Sequence, residues 1–301
     1  MTEIHLPDRA PHEPWTVADG VRVVPLQTPT LPPATHTNAV VLGDAEGCVV
    51  VDPASPYSEE QERLLAELGD WPVRAIWLTH HHPDHVGGAD ALRAATGAPV
   101  LAHPATIERL PHLADLQPMY EGDAEELAGF VWEALHTPGH ARGHLAFRCR
   151  QRRIVVAGDL VAGQGTIVID PPEGDLADYL ATLGRLIAEG IGVAIPAHGP
   201  EIDHGEAKLL EYIAHRAARE EQVLATLGAR EQGKAIDLVP TIYPEVPSFW
   251  HALAARQVLA HLLKLEAEGR VARTDGSTGA PGTPVYMAQG ASRPDAAFRV
   301  V

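Results

Sequence analysis

Two cysteines in 301 residues exclude a disulfide framework and a thiolate zinc site. Cys48 and Cys149 stand apart in apolar runs, where each reads as a buried free thiol. Aromatic residues make up only 5% of the chain, so a core must be filled with Leu, Val, Ile and Ala from a hydrophobic fraction of 45%. Basic residues are scarce beside acidic ones: 23 Lys and Arg against 40 Asp and Glu give a formal charge of -17. That balance disfavours nonspecific binding to nucleic acid or an anionic membrane. No apolar run approaches the roughly 20 residues that span a bilayer. The polar, proline-containing start, Met1 to Trp15, has no apolar signal-peptide core. The expectation is a soluble cytoplasmic protein. Glycine (27) and proline (26) are plentiful and imply many tight turns.

Apolar runs at Val21–Val24, Ala39–Leu42 and Cys48–Val51 read as strands between turn residues. A helical period covers Ser58 to Leu68. Further strands are expected at Arg74–Leu78, Val100–Leu101, Phe130–Leu135, Leu145–Phe147, Ile154–Ala157 and Val193–Ile195, with helices at Ala89–Ala95 and Asp175–Glu189. The pattern changes after about Pro200. A long helix is expected from Glu206 to Leu227, then a proline-rich break at Pro240, Pro244 and Pro247. A second helix follows to Glu268, with Ser248 as its N-cap and Gly269 as its stop. Arg270–Ala272 and Pro284–Tyr286 suggest a two-stranded wing.

Thr79-His80-His81-His82-Pro83-Asp84-His85 follows one of these strands and precedes a helix. Imidazole and carboxylate are the usual ligands of a catalytic divalent metal. A histidine-rich tract can also be a disordered metal scavenger or a tag, but this one is internal and flanked by apolar periodic segments. Three more strand ends supply candidates: Thr137-Pro138-Gly139-His140, Gly158-Asp159 and Pro196-Ala197-His198-Gly199. Any one alone is weak, whereas four in order form a specific pattern.

At these residues, over roughly positions 20 to 205, the chain resembles the dinuclear branch of the metallo-β-lactamase superfamily. The resemblance implies a four-layer αβ/βα sandwich of the α/β class spanning residues 1–205, with a winged-helix-like helical domain at 206–301. It implies that His80, His82 and His140 bind one metal, that Asp84, His85 and His198 bind a second, and that Asp159 bridges both. A hydroxide bridging the two ions would be the nucleophile, and Asp84 would orient the water or carry a proton. Zinc is the default for such a mixed donor set, with iron or manganese in relatives. The set combines Asp84, His85 and Asp159, unlike that of the antibiotic-hydrolysing members, so the thioesterase, lactonase and phosphodiesterase branches fit better than true β-lactamases.

The phrase His261 to Val271 is similar to the β-lactamase-associated winged helix, found in relatives of the β-lactamase-like endoribonuclease. From Glu206 to Arg270 there are nine acidic and eight basic residues, and Ser248–Glu268 carries only Arg256 and Lys264 against Glu266 and Glu268. That is no basic recognition helix. The leading expectation is therefore hydrolysis of an ester, thioester or lactone in a small molecule. RNA cleavage is the alternative, and a non-catalytic metal-stabilised binding protein is a third. Asp52 is expected to support the metal loop, and His144 to be either a support or a substrate contact. His81, His103 and His204 are expected to be structural or loop residues, while Arg142, Tyr212 and Trp250 are weak candidates for substrate contact.

Overall fold

The computed structural model describes residues 12–163, 165–274 and 295–301. The described backbone divides into two compact units. One comprises residues of 1–137, 143–167 and 186–208; the other comprises residues of 138–142, 168–185 and 209–301.

The first unit contains two sheets. The larger has the order β1 (Trp15–Ala18), β2 (Val21–Gln27), β3 (His36–Asp44), β4 (Gly47–Val51), β5 (Val73–Trp77), β6 (Val100–Ala102) and β7 (Gln117–Pro118). Its pairs are antiparallel up to β4 and parallel from there. Helices α1 (Ser58–Leu68) and α3 (Ala89–Thr96) make the parallel crossovers, with the short α2 (Pro83–Val86) between β5 and α3, and α4 (Pro104–Ile107) follows β6. The smaller sheet runs β8 (Ala124–Leu127), β9 (Phe130–His136), β10 (Leu145–Cys149), β11 (Ile154–Gly158) and β12 (Val193–Pro196), with only β11 and β12 parallel.

The near-continuous apolar runs in the sequence have a physical cause: the larger sheet is buried on both faces. Side chains alternate with period two. Val40, Leu42, Val49, Val51 and Trp77 meet Trp132, Phe147 and Ile195 of the smaller sheet. Val41, Cys48, Val50, Ile76 and Leu78 pack instead with Leu64 and Leu68 of α1 and Leu92 of α3. A one-residue slip of any of these strands would exchange the two cores. Trp77 and Phe147 lie with ring centroids 4.8 Å apart, a contact worth about 0.5–1.5 kcal/mol beyond its area. Both cysteines are buried and free.

Most of α5 (Leu176–Ala188) and α6 (Gly205–Arg230) belongs to the second unit, with α7 (Ala235–Ile242) and α8 (His251–Ala267). There β13 (Gly233–Lys234), β15 (Ala297–Val300) and β14 (Val271–Arg273) form a small sheet in that order. Val223, Leu227, Leu238, Leu259, Leu262 and Phe298 share its core. Three expectations change here. Ser248 does not cap the long helix: it opens a 3₁₀ turn, Ser248–Trp250, and the α-helix starts at His251. The proline-rich break contains α7, with Pro240 inside it, because the Asp237 carboxylate accepts the Lys234 N–H at 2.9 Å and starts the helix. The strand expected at Arg270–Ala272 forms as β14, but its described partner is β15; Pro284–Tyr286 lies outside the described residues. Gly269, at φ 73, stops α8 as expected, with Arg270 N–H reaching Leu265 O and Gly269 N–H reaching Glu266 O.

Candidate metal centre

β5 ends at Trp77, and the following loop delivers His82 to the N-terminus of α2 with Pro83 as the first helical residue. Asp84 and His85 ride on that turn. Gly87 and Gly88 let it approach the exit of β4. A Cβ on Gly87 would lie 2.7 Å from Ala54 O, and one on Gly88 2.5 Å from Pro53 O. Asp159 follows β11, and His198 follows β12.

Within the first unit, the ligand atoms of His80, His82 and Asp159 lie within 4.8 Å of one another, as do those of Asp84, His85 and His198. Asp159 Oδ1 is 3.6 Å from His85 Nε2 and 3.5 Å from His198 Nε2. Asp84 Oδ2 is 3.7 Å from His198 Nε2. His81 is half-buried and contributes to neither group.

The imidazoles are oriented from behind. His85 Nδ1–H donates to Asp52 Oδ2 at 2.8 Å. The same carboxylate accepts Thr79 N–H at 2.7 Å and Thr79 Oγ1–H at 2.6 Å. With that hydroxyl proton committed, Thr79 Oγ1 accepts from His80 Nδ1–H at 2.9 Å. His198 Nδ1–H donates to His36 O at 2.9 Å. Asn38 clamps the His198 loop by donating to Pro196 O at 2.9 Å and Gly199 O at 2.8 Å. His144 is buried. Its Nδ1–H donates to Thr137 Oγ1 at 2.7 Å, and its Nε2 accepts Asp159 N–H at 3.1 Å. It is a support of the Asp159 backbone. Asp52, at φ 49, holds the support role expected for it.

With Nδ1 as the donor in His85 and His198, Nε2 is the ring nitrogen that each turns toward the Asp159 carboxylate, while His80 Nε2 lies 2.9 Å from His82 Nδ1. His85 Nε2 is buried with no hydrogen-bond partner. Burial works against a charge on His85, but Asp159, Asp52 and Asp84 outweigh it and raise the ring to about 10. A pocket whose carboxylates favour positive charge this strongly fits a divalent cation, which would take the place of the second ring proton at His85 Nε2, 3.6 Å from Asp159 Oδ1.

His140 belongs to the second unit, where it is buried and its Nδ1–H donates to Val168 O at 2.7 Å. Nδ1 is therefore the donor nitrogen of that ring.

Residues 32–198 match the metallo-beta-lactamase superfamily. The chain belongs to that superfamily. Residues 235–279 match the beta-lactamase associated winged helix domain, which covers α7, α8 and β14. Among relatives of this superfamily member, the beta-lactamase-like protein 2 homolog of Drosophila melanogaster is 29% identical over 78% of this chain and 84% of its own length. The atrochrysone carboxyl ACP thioesterase AacuM of Aspergillus aculeatus is 30% identical over 64% of this chain, which spans 60% of that protein. A crystal structure of a metallo-beta-lactamase family protein from Thermus thermophilus is 28% identical, with a TM-score of 0.74 over 94% of this chain and 100% of that one. The superfamily αβ/βα sandwich with a C-terminal winged helix is the fold of this chain.

Sequence reasoning missed Thr79 as the hub of the Asp52 network, and also His36 and Asn38. Asn38 stands beside Thr37 just before the apolar run Ala39–Leu42, and its residue type carries no metal-ligand signal. His103 caps α4 through Nδ1 and stacks on His136 at 4.3 Å; its partial burial, with His136 beside it, lowers its pKa to about 4. Arg142 pairs with Glu173 at 4.0 Å, and Tyr212 is buried. Among the described residues, no helix is long and apolar enough to cross a membrane.

Proposed function

We propose that the chain is a dinuclear metal-dependent hydrolase acting on an ester, thioester or lactone of a small molecule. One observation carries this reading: the Asp159 carboxylate faces His85 and His198 at 3.6 and 3.5 Å while also belonging to the donor group of His80 and His82. A single carboxylate shared by two sets of imidazoles is suited to bridging. His80, His82 and His140 are assigned to one ion, Asp84, His85 and His198 to the other, and Asp159 to both.

Zinc is the assigned metal, and elemental analysis separates it from iron or manganese. Two such ions supply Lewis acidity and a water whose pKa falls to about neutral. The chain's own part is positional. Asp52, Thr79, His36 and Val168 hold the imidazoles in one tautomer. Asp84, on the first turn of α2, is assigned to take the proton of the attacking water on its carboxylate and return it to the leaving group.

Two observations support acyl chemistry over phosphodiester chemistry. One relative bears the name of an acyl-carrier thioesterase. In addition, the cations of α8 are already engaged: Arg256 with Asp170, and Lys264 with Glu220 at 2.8 Å and Glu268 at 2.6 Å. RNA cleavage is the second reading, supported by the winged-helix domain itself. The test is turnover of acyl thioesters against single-stranded RNA and bis-p-nitrophenyl phosphate, in the parent and in Asp84→Ala. Thioester turnover lost in Asp84→Ala is the expected result. RNA cleavage lost in that variant, without thioester turnover in the parent, reverses the order.

A further inference from the structure

The His140 loop is fastened within the second unit. Asp175 N–H donates to Gly139 O at 2.8 Å, and Thr182 Oγ1–H donates to Pro138 O at 2.8 Å. Arg142 N–H reaches Glu173 Oε1 at 3.3 Å, and His140 Nδ1–H reaches Val168 O at 2.7 Å. The last bond sets the rotation of the imidazole. Yet its acceptor lies in a segment, residues 166–170, with no helix or strand of its own. No ladder fixes the direction of that carbonyl.

Side chains of α8 do so instead. Gln257 Nε2 donates to Ile169 O at 3.0 Å, one residue from the carbonyl that receives His140. The Arg256 guanidinium donates to the Asp170 carboxylate and to Pro171 O. Gly174 N–H returns to Asp170 O at 2.8 Å and closes the turn. Gln257 is braced in its own right, because its Oε1 accepts from Arg216 of α6 at 3.1 Å. The Gln257 amide thus links α6, α8 and the loop, using its donor and its acceptor on different partners.

We propose that Gln257 and Arg256 of the winged-helix domain are positioning residues for His140, acting through the carbonyls of residues 168–171. The proposal rests on the assignment of His140 as a metal ligand. It gives the domain a role in building the metal centre, besides any contact with substrate. Loss of a group that orients a metal-ligating histidine costs about 10–100-fold in metal affinity.

The test uses the full chain, stripped with a chelator and titrated with Zn²⁺ by calorimetry, in the parent, Gln257→Glu and Arg256→Gln. Gln257→Glu keeps an acceptor for Arg216, so the contact of α6 with α8 survives, but it loses the donation to Ile169 O. The expected result is that each variant binds one of two ions about 10–100-fold more weakly and the other as the parent does. The melting temperature of the metal-free form should stay at the parent's. The ¹⁵N signal of His140 Nδ1–H should shift in both variants. Parent-like affinity at both sites overturns the proposal. So does equal loss of both ions together with a lower metal-free melting temperature, which would mark a general structural role. Should Gln257→Glu fail to fold, Arg256→Gln decides alone, because Arg256 is partly exposed at the edge of the loop. A parent chain that binds no ion overturns the metal assignment itself, before any variant is compared.

Discussion

Asp52 Oδ2 accepts from His85 Nδ1–H at 2.8 Å while Asp52 Oδ1 accepts the Thr79 amide at 2.7 Å, so one carboxylate ties the end of β4 to both ends of the metal loop. This pairing is central to the assigned second ion, because it leaves His85 Nε2 turned toward Asp159.

Asp52→Asn isolates that role. The backbone there is left-handed, at φ 49, a conformation asparagine tolerates. An amide has only one acceptor oxygen for three donors. Zinc affinity, measured by competition with a chelator, is expected to fall about 10–100-fold at one site. Asp52→Ala should also leave Thr79 N–H and His85 Nδ1–H buried without partners, lowering stability by about 1–3 kcal/mol for each. Unchanged zinc affinity in Asp52→Asn would remove Asp52 from the metal centre.

Protein purified without chelator should carry close to two divalent ions per chain by elemental analysis. Chelation should abolish turnover, and adding back zinc should restore it. A metal-free chain that is stable and inert would sink the enzyme reading.

Gly139 precedes the assigned ligand His140 at φ 134, and a Cβ there would lie 2.3 Å from Tyr179 Cα. Gly139→Ala therefore combines backbone strain with a clash against a helix. A loss of about 2–4 kcal/mol is expected in urea unfolding. Full stability would mean that the loop can move away from α5.

Glu220 of α6 is nearly buried and stands 2.8 Å from Lys264 and 2.9 Å from Arg270, with His261 Nδ1 at 4.0 Å. His261 first, then Lys264, hold its carboxyl at about 2 against the opposing pull of burial. The folded pKa is depressed, so the stabilisation is fully present above the ordinary value of 4.5 and is lost as pH falls toward 2. Glu220→Gln should cost about 1–3 kcal/mol at pH 7. The gap between parent and variant should narrow in urea unfolding as pH drops below 4.5. A gap that does not depend on pH would assign the loss to packing instead.

Where the pattern is local, the reading from sequence and the structure coincide. The helix expected over Ser58–Leu68 forms with those bounds, because its apolar spacing and the following Gly69, at φ 58, are local signals. Gly269 stops α8 for the same reason. Where the cause is non-local, the sequence was silent. β15 forms only because β13 and β14 lie beside it. Ser248 looked like a cap, but the chain after Pro247 enters a 3₁₀ turn first.

The candidate donors were legible in the chain itself: three imidazoles and a carboxylate on one short loop, with His140, Asp159 and His198 at later strand ends. Residue type and position after an apolar run suffice for that, because strand ends in an α/β fold carry their loops to one place. Which ring nitrogen donates in His85 and His198 was decided only by the tertiary structure. His198 takes its tautomer from a carbonyl 162 positions away, and His85 from a carboxylate 33 positions away. Hydrogen bonds of a few ångströms between residues so distant in the chain exist only once the sheets have packed.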